Sequence, residues 1–283
     1  MADRIVPTPE EVWRIYDEAE ARLSAPLSER MISLAGLRPG MRVLDIATGR
    51  GEPAVRVARA VLPGGNVLGV DVSASMLGMA KERAAREGVT NLELRVANAE
   101  TLEGVPVGQF DATFARWGLM YMDAPALALA AARRAMVPGG VLVAALWVAP
   151  ATATFFTLPR RVLERYRALP GRDAADVTAD APGTFRYADQ ARFERDLAAA
   201  GLAVSHVEEL EVPVMEAATD DELVAWTRAF GLARLMGGLS EEIQRAWERD
   251  FVAAAAPLRK DGFVRLGGVT RIVVASPRAA PTV

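Results

Sequence analysis

The 283-residue chain carries 36 acidic and 33 basic residues, a net charge of −3, which argues against a general nucleic-acid-binding surface. It has no cysteine, which excludes disulfides, thiolate zinc sites and a cysteine nucleophile, and its one histidine, His206, makes a histidine metal site implausible. At 51% hydrophobic and 24% charged residues it can bury a core, either as one large domain or as a domain with a cap.

Met1-Ala2-Asp3-Arg4 opens without the apolar stretch of a signal peptide, so a cytoplasmic location is expected. Residues 9–22 read as an amphipathic helix: Thr8 stands at capping-box spacing from Glu11, and Val12, Ile15, Tyr16 and Ala19 share a face. Trp13 and Tyr16 read equally well as helix packing or as contacts of a lid. A second helix over about 28–37 ends at Arg38-Pro39-Gly40.

Val43-Leu44-Asp45-Ile46 is too short for a helix and fits a buried strand. Gly49 and Gly51 break it, and Glu52-Pro53 opens a helix over 53–62. A strand, a glycine turn and a helix build the nucleotide pocket of an α/β fold. Further strands are expected at 67–70, 92–97, 110–115 and 141–147, alternating with helices that include 124–136, which implies a parallel sheet covered on both faces. Residues 135–159 are uncharged and long enough to span a membrane. Pro138-Gly139-Gly140, Pro150 and three threonines make a buried strand and an apolar loop the better reading, and no membrane association is expected. Beyond lie a helix near 156–168, a loop rich in Pro, Gly, Asp and Ala, a helix over 193–200, a strand over 202–212, helices over 219–236 and 240–256, and a last strand over 264–275. The tail 277–283 is expected to fray.

Asp45 separates two readings of the glycine turn. A carboxylate ending the strand repels a dinucleotide's pyrophosphate but suits a ligand with an ammonium and a sulfonium. Asp45-x-x-x-Gly49-x-Gly51 resembles the first motif of the class I methyltransferases that use S-adenosylmethionine (SAM), and Glu-Pro-Ala after the glycines is similar to their bacterial ubiquinone/menaquinone methyltransferase-like branch. The likeness is strong over about 35–148, moderate over 185–212 and faint over 213–262.

The resemblance implies a Rossmann-like, doubly wound, mostly parallel seven-stranded α/β sheet of order 3-2-1-4-5-7-6 with helical cap insertions. It divides the chain into an N-terminal helical cover (1–40), a SAM-binding core (41–149), a lid segment (150–187), a helix with strand 6 (188–212), a helical insertion (213–262) and the last strand (263–276). It places the cofactor against Asp45, Ala47, Thr48, Gly49 and Gly51. Asp71, closing strand 2, accepts the ribose hydroxyls, and Val72 and Met76 flank the adenine. Asn98-Ala99-Glu100 stands where relatives carry Asp-Ala-Glu, and Asn98 accepts the adenine amino group in the acid's place. Arg116 serves the cofactor's carboxylate.

Acceptor contacts are expected from Tyr16, Trp117, Met120, Trp147, Phe155 and Phe185, each weighed against ordinary core packing, with Tyr121 and Tyr187 as further walls. His206 is expected at the sheet edge, away from the chemistry. No general base is evident and no catalytic residue is assigned. The implied function is methyl transfer to a small, largely apolar acceptor, aromatic or polyketide-like, on oxygen, nitrogen or carbon, leaving S-adenosylhomocysteine. The alternatives are a SAM-binding protein that catalyses another reaction, such as a cyclisation, and a nucleotide-dependent oxidoreductase, against which Asp45 speaks. Oligomeric state is open, with a homodimer among the options.

Overall fold

A computed structural model describes residues 9–166 and 182–278. Residues 279–283 of the tail, the first eight residues, residues 167–181 of the expected lid and the Trp13 side chain lie outside them. The chain divides into two compact units: residues 26–148, 174–210 and 270–283 form one, and residues 1–25, 149–173 and 211–269 the other.

The first unit holds the parallel strands β1 (Arg42–Ile46), β2 (Asn66–Asp71), β3 (Leu92–Val96), β4 (Phe110–Arg116) and β5 (Met136–Trp147). The sheet, which also takes in β6 (Leu202–Ala217) and β8 (Phe263–Pro277), has the order β3-β2-β1-β4-β5-β8-β6. β8 runs antiparallel to β5, from Leu142 opposite Ala275 to Trp147 opposite Thr270. The expected order is therefore present, with one addition. Lys260-Asp261-Gly262-Phe263 is a tight hairpin that pairs β7 (Arg259–Lys260) with the start of β8, making eight strands where seven were expected. Asp261 and Gly262 both have positive φ, 50° and 85°, as a two-residue hairpin turn demands.

β1 lies at the centre, and Val43, Leu44, Asp45 and Ile46 are all fully buried. An apolar run without alternation is what a strand covered on both faces requires. The helices α3 (Ala54–Ala60), α4 (Ala74–Arg86), α5 (Pro125–Ala135) and α7 (Gln190–Ala199) belong to this unit, and α2 (Ala25–Ala35) joins it from Pro26 onward. Ser73 caps α4 by accepting from Met76 N, and Asp189 caps α7 by accepting from Ala191 N.

Arg30 of α2 holds Glu208 of β6 through two 2.6 Å bonds, and His206 Nε2 lies 2.8 Å from the same carboxylate. The Arg30 hydrogen bond, joined by that of His206, pulls the Glu208 carboxyl down to about 2. A carboxyl lowered by folding adds stability that is complete above its ordinary value of 4.5 and is lost as pH falls toward about 2. Glu208→Gln is expected to cost about 1 kcal/mol at pH 7, a figure reduced for solvent screening. Urea titrations should show the gap to wild type closing as pH falls from about 4.5 to about 2, and a gap constant from pH 7 to pH 2 would show that the pair adds nothing.

The second unit contains α1 (Pro9–Leu23), α6 (Thr154–Leu163), α8 (Asp220–Thr227), α9 (Ala233–Met236) and α10 (Glu241–Ala255). Trp226, Trp247, Phe251, Leu158 and Val162 anchor its core, and Trp247 Nε1 donates to Pro159 O at 3.1 Å. A capping box of Thr219 and Glu222 starts α8, and Ser240 caps α10. The helix expected over 219–236 is interrupted: a π turn at Arg228–Leu232, wider than the α-helix on either side, separates α8 from α9. α6 starts at Thr154, ahead of the expected 156, and β6 runs to Ala217, five residues past its expected end.

Candidate functional site

The carboxyl ends of β1, β2, β3 and β4 carry the residues singled out in the sequence. Open α/β sheets bind ligands there, where the strand order reverses. β1 stands between β2 and β4, so its exit loop lies at that reversal.

The loop after β1 is held from several sides. Ala47 and Gly49 take left-handed backbone angles, both at φ 54°, and Gly51 lies at φ 87°. Thr48 N donates to Val70 O at 3.0 Å, and Thr48 Oγ1 donates to Asp45 Oδ2 at 2.6 Å. Gly69 of β2 admits this approach, since a Cβ there would stand 3.0 Å from Thr48 Oγ1. A Cβ on Gly49 would meet nothing within 4 Å, so that glycine faces open space.

Asp45 has no exposed surface, and its Oδ1 is a buried oxygen without a hydrogen-bond partner among the described residues. Burial pushes its carboxyl up to about 7, against the Thr48 hydrogen bond and the positive charge of Arg116, while the negative Glu52 and Asp71 push the same way as burial. Once ionised, a carboxylate so placed favours a cation above the loop, through the field rather than by touching it. A direct contact from Asp45 to a ligand is not available in this conformation.

Asp71 organises the loop from the neighbouring strand. Its Oδ2 accepts from Gly49 N and its Oδ1 from Ser73 N, both at 2.9 Å. Each oxygen keeps a second lone pair for a ligand hydroxyl. Val72 beside it is 69% exposed, unusual for valine and apt for the face of a planar ring. Met76 stands half-buried at the start of α4, Asn98 is exposed and Ala99 is buried. Asn98 Oδ1 accepts from Glu100 N at 2.9 Å, and Glu100 Oε1 accepts from Ala124 N at 2.7 Å. Glu100 is thus engaged ahead of α5, a use that its position after β3 did not reveal.

At the end of β4, Arg116 donates through Nε to Glu52 O at 3.1 Å, and its guanidinium lies 4.5 Å over the Trp117 ring. Trp117 also has φ 54°, an outlier for a bulky residue, and outliers of this kind gather at functional sites. Its ring stacks on Trp147 at 4.6 Å, and its Nε1 donates to Thr270 Oγ1 at 3.1 Å. Trp147 is only 2% exposed and Met120 is fully buried, so these two pack the core instead of offering acceptor walls. Phe185 is half-buried in a turn, and Tyr121 is half-exposed with its hydroxyl 3.1 Å from Thr184 Oγ1. Tyr187 is buried and bonded to Asp196.

Tyr16 and Phe155 belong to the helical unit, where both rings meet Trp226: Tyr16 stacks at 3.9 Å and Phe155 stands edge-on at 6.5 Å. Burial, then the charge of Glu222, raises the Tyr16 hydroxyl, which stays a hydrogen-bond donor at neutral pH. His206 lies on β6, three strand spacings from β4 or about 14 Å, and is paired with Glu208.

Two features of the site were not legible in the sequence. Glu52, expected as an acid of the first helical turn, is buried and bonded to buried Arg83 of α4 at 2.6 Å. Arg83 also holds Glu87, and Arg56 bonds Glu52 from the other side. The second is the contact of Gly118 with Ala47. A Cβ on Gly118 would stand 2.5 Å from Ala47 Cβ, so the exit loops of β1 and β4 touch. Gly118→Ala is expected to push these loops apart and to lower cofactor affinity at least about tenfold, roughly 1.4 kcal/mol. Calorimetry on the folded variant checks this, and unchanged affinity would show that the contact does not shape the site.

The strand order, the left-handed loop after β1 and the acid closing β2 define a methyltransferase fold of class I. Residues 37–170 match the family described as a methyltransferase domain. Over 120 residues it is 32% identical to nocamycin O-methyltransferase from Saccharothrix syringae, covering 42% of each chain. Over 113 residues it is 38% identical to the ubiquinone/menaquinone biosynthesis C-methyltransferase UbiE of Pseudomonas putida, covering 40% of this chain and 44% of that one. The chain thus spans less than half the length of these relatives. Among solved structures, the YcgJ protein from Bacillus subtilis superposes with a TM-score of 0.58 at 18% identity, over 89% of this chain and 98% of its own. The [4+2]-cyclase SpnF does so with a TM-score of 0.54 at 19% identity, over 97% and 98%. At these identities the two structures speak for the fold alone. No helix among the described residues is long and apolar enough to cross a membrane.

Proposed function

We propose that the protein binds SAM at the carboxyl ends of β1–β4 and transfers its methyl group to a small, largely apolar acceptor. The observation that carries this reading is the pairing of Asp45, buried with an unpartnered oxygen under the loop, with Asp71, whose oxygens fasten that loop and keep lone pairs to spare. Both suit SAM, one through its cationic end and the other through its ribose. When bound, SAM supplies an activated methyl group, so positioning and exclusion of water can provide most of the acceleration.

In this reading Gly49 and Ala47 leave room for the methionine part, Val72 and Met76 flank the adenine, and Asn98 accepts the amino group. Arg116, held by Glu52 O and the Trp117 ring, presents its charge to the carboxylate. Acceptor selectivity we assign to the helical unit, whose Tyr16 and Trp226 lie outside the matched domain. The nocamycin and ubiquinone/menaquinone methyltransferases among its relatives support a small organic acceptor. The expected cover, lid and cap divisions and a cytoplasmic setting remain part of this proposal.

The likeness to SpnF over nearly the whole chain is compatible with a second reading, in which bound SAM accompanies a cyclisation. One experiment separates the two. The protein is incubated with methyl-labelled SAM and a panel of quinols, phenols and polyketide acids, and label transfer is read together with S-adenosylhomocysteine. SAM binding with label transfer establishes the proposal, and SAM binding without transfer across the panel favours the second reading. Binding of NAD in place of SAM overturns both.

A further inference from the structure

The crossover from β3 to β4, residues 97–109, contains no helix. Beside it, toward the amino ends of β1–β4 and away from the site above, lies a cavity of about 500 Å³. Leu68, Leu92, Pro106 and Phe110 give it an apolar lining, and Arg42 and Arg95 bring positive charge. The two arginines differ. Arg95 is satisfied, with Nη1 donating to Gly104 O at 2.7 Å and Nη2 bonded to Glu93 at 2.6 Å.

Arg42 lies with its guanidinium carbon 5.8 Å over the Phe110 ring, and its Nε is buried without a hydrogen-bond partner among the described residues. Its backbone N–H is already held by Asp111 Oδ2 at 2.7 Å, which fixes the start of the side chain. Nε is closed to a ligand as well, so the terminal nitrogens of the guanidinium are what a ligand can reach, and their N–H groups match a carboxylate with two parallel bonds. A volume near 500 Å³ is within the range of small-molecule sites.

We propose that this cavity binds a small organic carboxylate with an apolar body, its carboxylate on Arg42 and its chain along Leu68, Leu92 and Phe110. One unpaired guanidinium suits a single negative charge. The neutral Glu93–Arg95 pair at the rim adds no second cationic anchor, so a carboxylate fits better than a phosphate. The site is separate from the SAM cleft and independent of what the protein methylates.

Octanoate is the probe, with octanol of equal chain length as the neutral control. By calorimetry the wild-type protein should bind octanoate at least about tenfold more tightly than octanol, the difference made by the charge-assisted bonds. Hydrogen exchange should show protection of residues 90–96 with octanoate. Arg42→Met, which keeps the apolar stem, should lose the preference while SAM affinity stays as in wild type. Equal binding of octanoate and octanol, no binding of octanoate at 10 mM order of concentration (~10 mM, far weaker than a built site gives), or protection confined to other residues each overturns the proposal. The first comparison uses wild-type protein only and holds even where the variant fails to fold.

Discussion

Asp71→Ala is expected to weaken SAM binding by about 2–4 kcal/mol, a loss of roughly thirty- to a thousandfold, through two charge-assisted hydrogen bonds to the ribose. The loss has a second source in this structure. Asp71 also holds Gly49 N and Ser73 N, so its removal frees the glycine loop and the entry to α4 together. Asp71→Asn tells the two apart. The amide keeps one acceptor oxygen and should restore part of the loop without restoring the pair of ribose bonds. Calorimetry with SAM and with adenosine reads both effects. Unchanged affinity in a folded Asp71→Ala protein would remove Asp71 from the site.

Asp45→Asn is expected to change the pH dependence of stability and to remove the pH dependence of SAM binding. The folded protein keeps the Asp45 proton up to about 7, while the unfolded chain releases it near 3.8. Between those values the folded state binds more protons, so wild-type stability falls as pH rises from about 4 to about 7 and is level above. A shift of that size corresponds to a few kcal/mol as an upper figure, at about 1.4 kcal/mol for each unit. Asparagine does not titrate, so the variant should lack this slope, whatever constant cost its buried amide adds. A bound cation favours the ionised carboxyl, so wild-type SAM affinity should rise with pH through about 7 with release of a proton, and the variant should bind weakly at every pH. Urea titrations and calorimetry from pH 5 to pH 8.5 provide the check. Parallel stability profiles for the two proteins would show that Asp45 is ionised throughout.

The core elements were legible because their signals are local. Val43–Ile46 is apolar without alternation, as in a strand covered on both sides, and Gly49 and Gly51 end it with backbone angles that other residues avoid. Asp71 closes β2 and Asn98 follows β3, and the family resemblance implies the roles of both. What stayed hidden depends on contacts between elements. Glu52 and Arg83 are thirty-one positions apart, and no local pattern pairs them before α4 brings them together. Met120 and Trp147 read as pocket walls because apolar residues near a strand end look alike whether they face a ligand or the core. Glu100 belongs to a family motif and yet serves the N–H of Ala124. The β7–β8 hairpin carries a local signal, Asp261-Gly262, but its first strand, Arg259–Lys260, is too short to show a period.

The contact between Ala47 and Gly118 ties the histories of two positions seventy-one residues apart. Ala47 occupies a left-handed angle that glycine would adopt at no steric cost, and its methyl group is what denies Gly118 a side chain. Drift at position 118 is closed while alanine stands at 47, and opens once 47 becomes glycine. The order of substitution therefore matters: Ala47→Gly followed by Gly118→Ala is a passable route, and the reverse order passes through a damaged intermediate. Across relatives of this chain, a side chain at the second position should be found in company with glycine at the first.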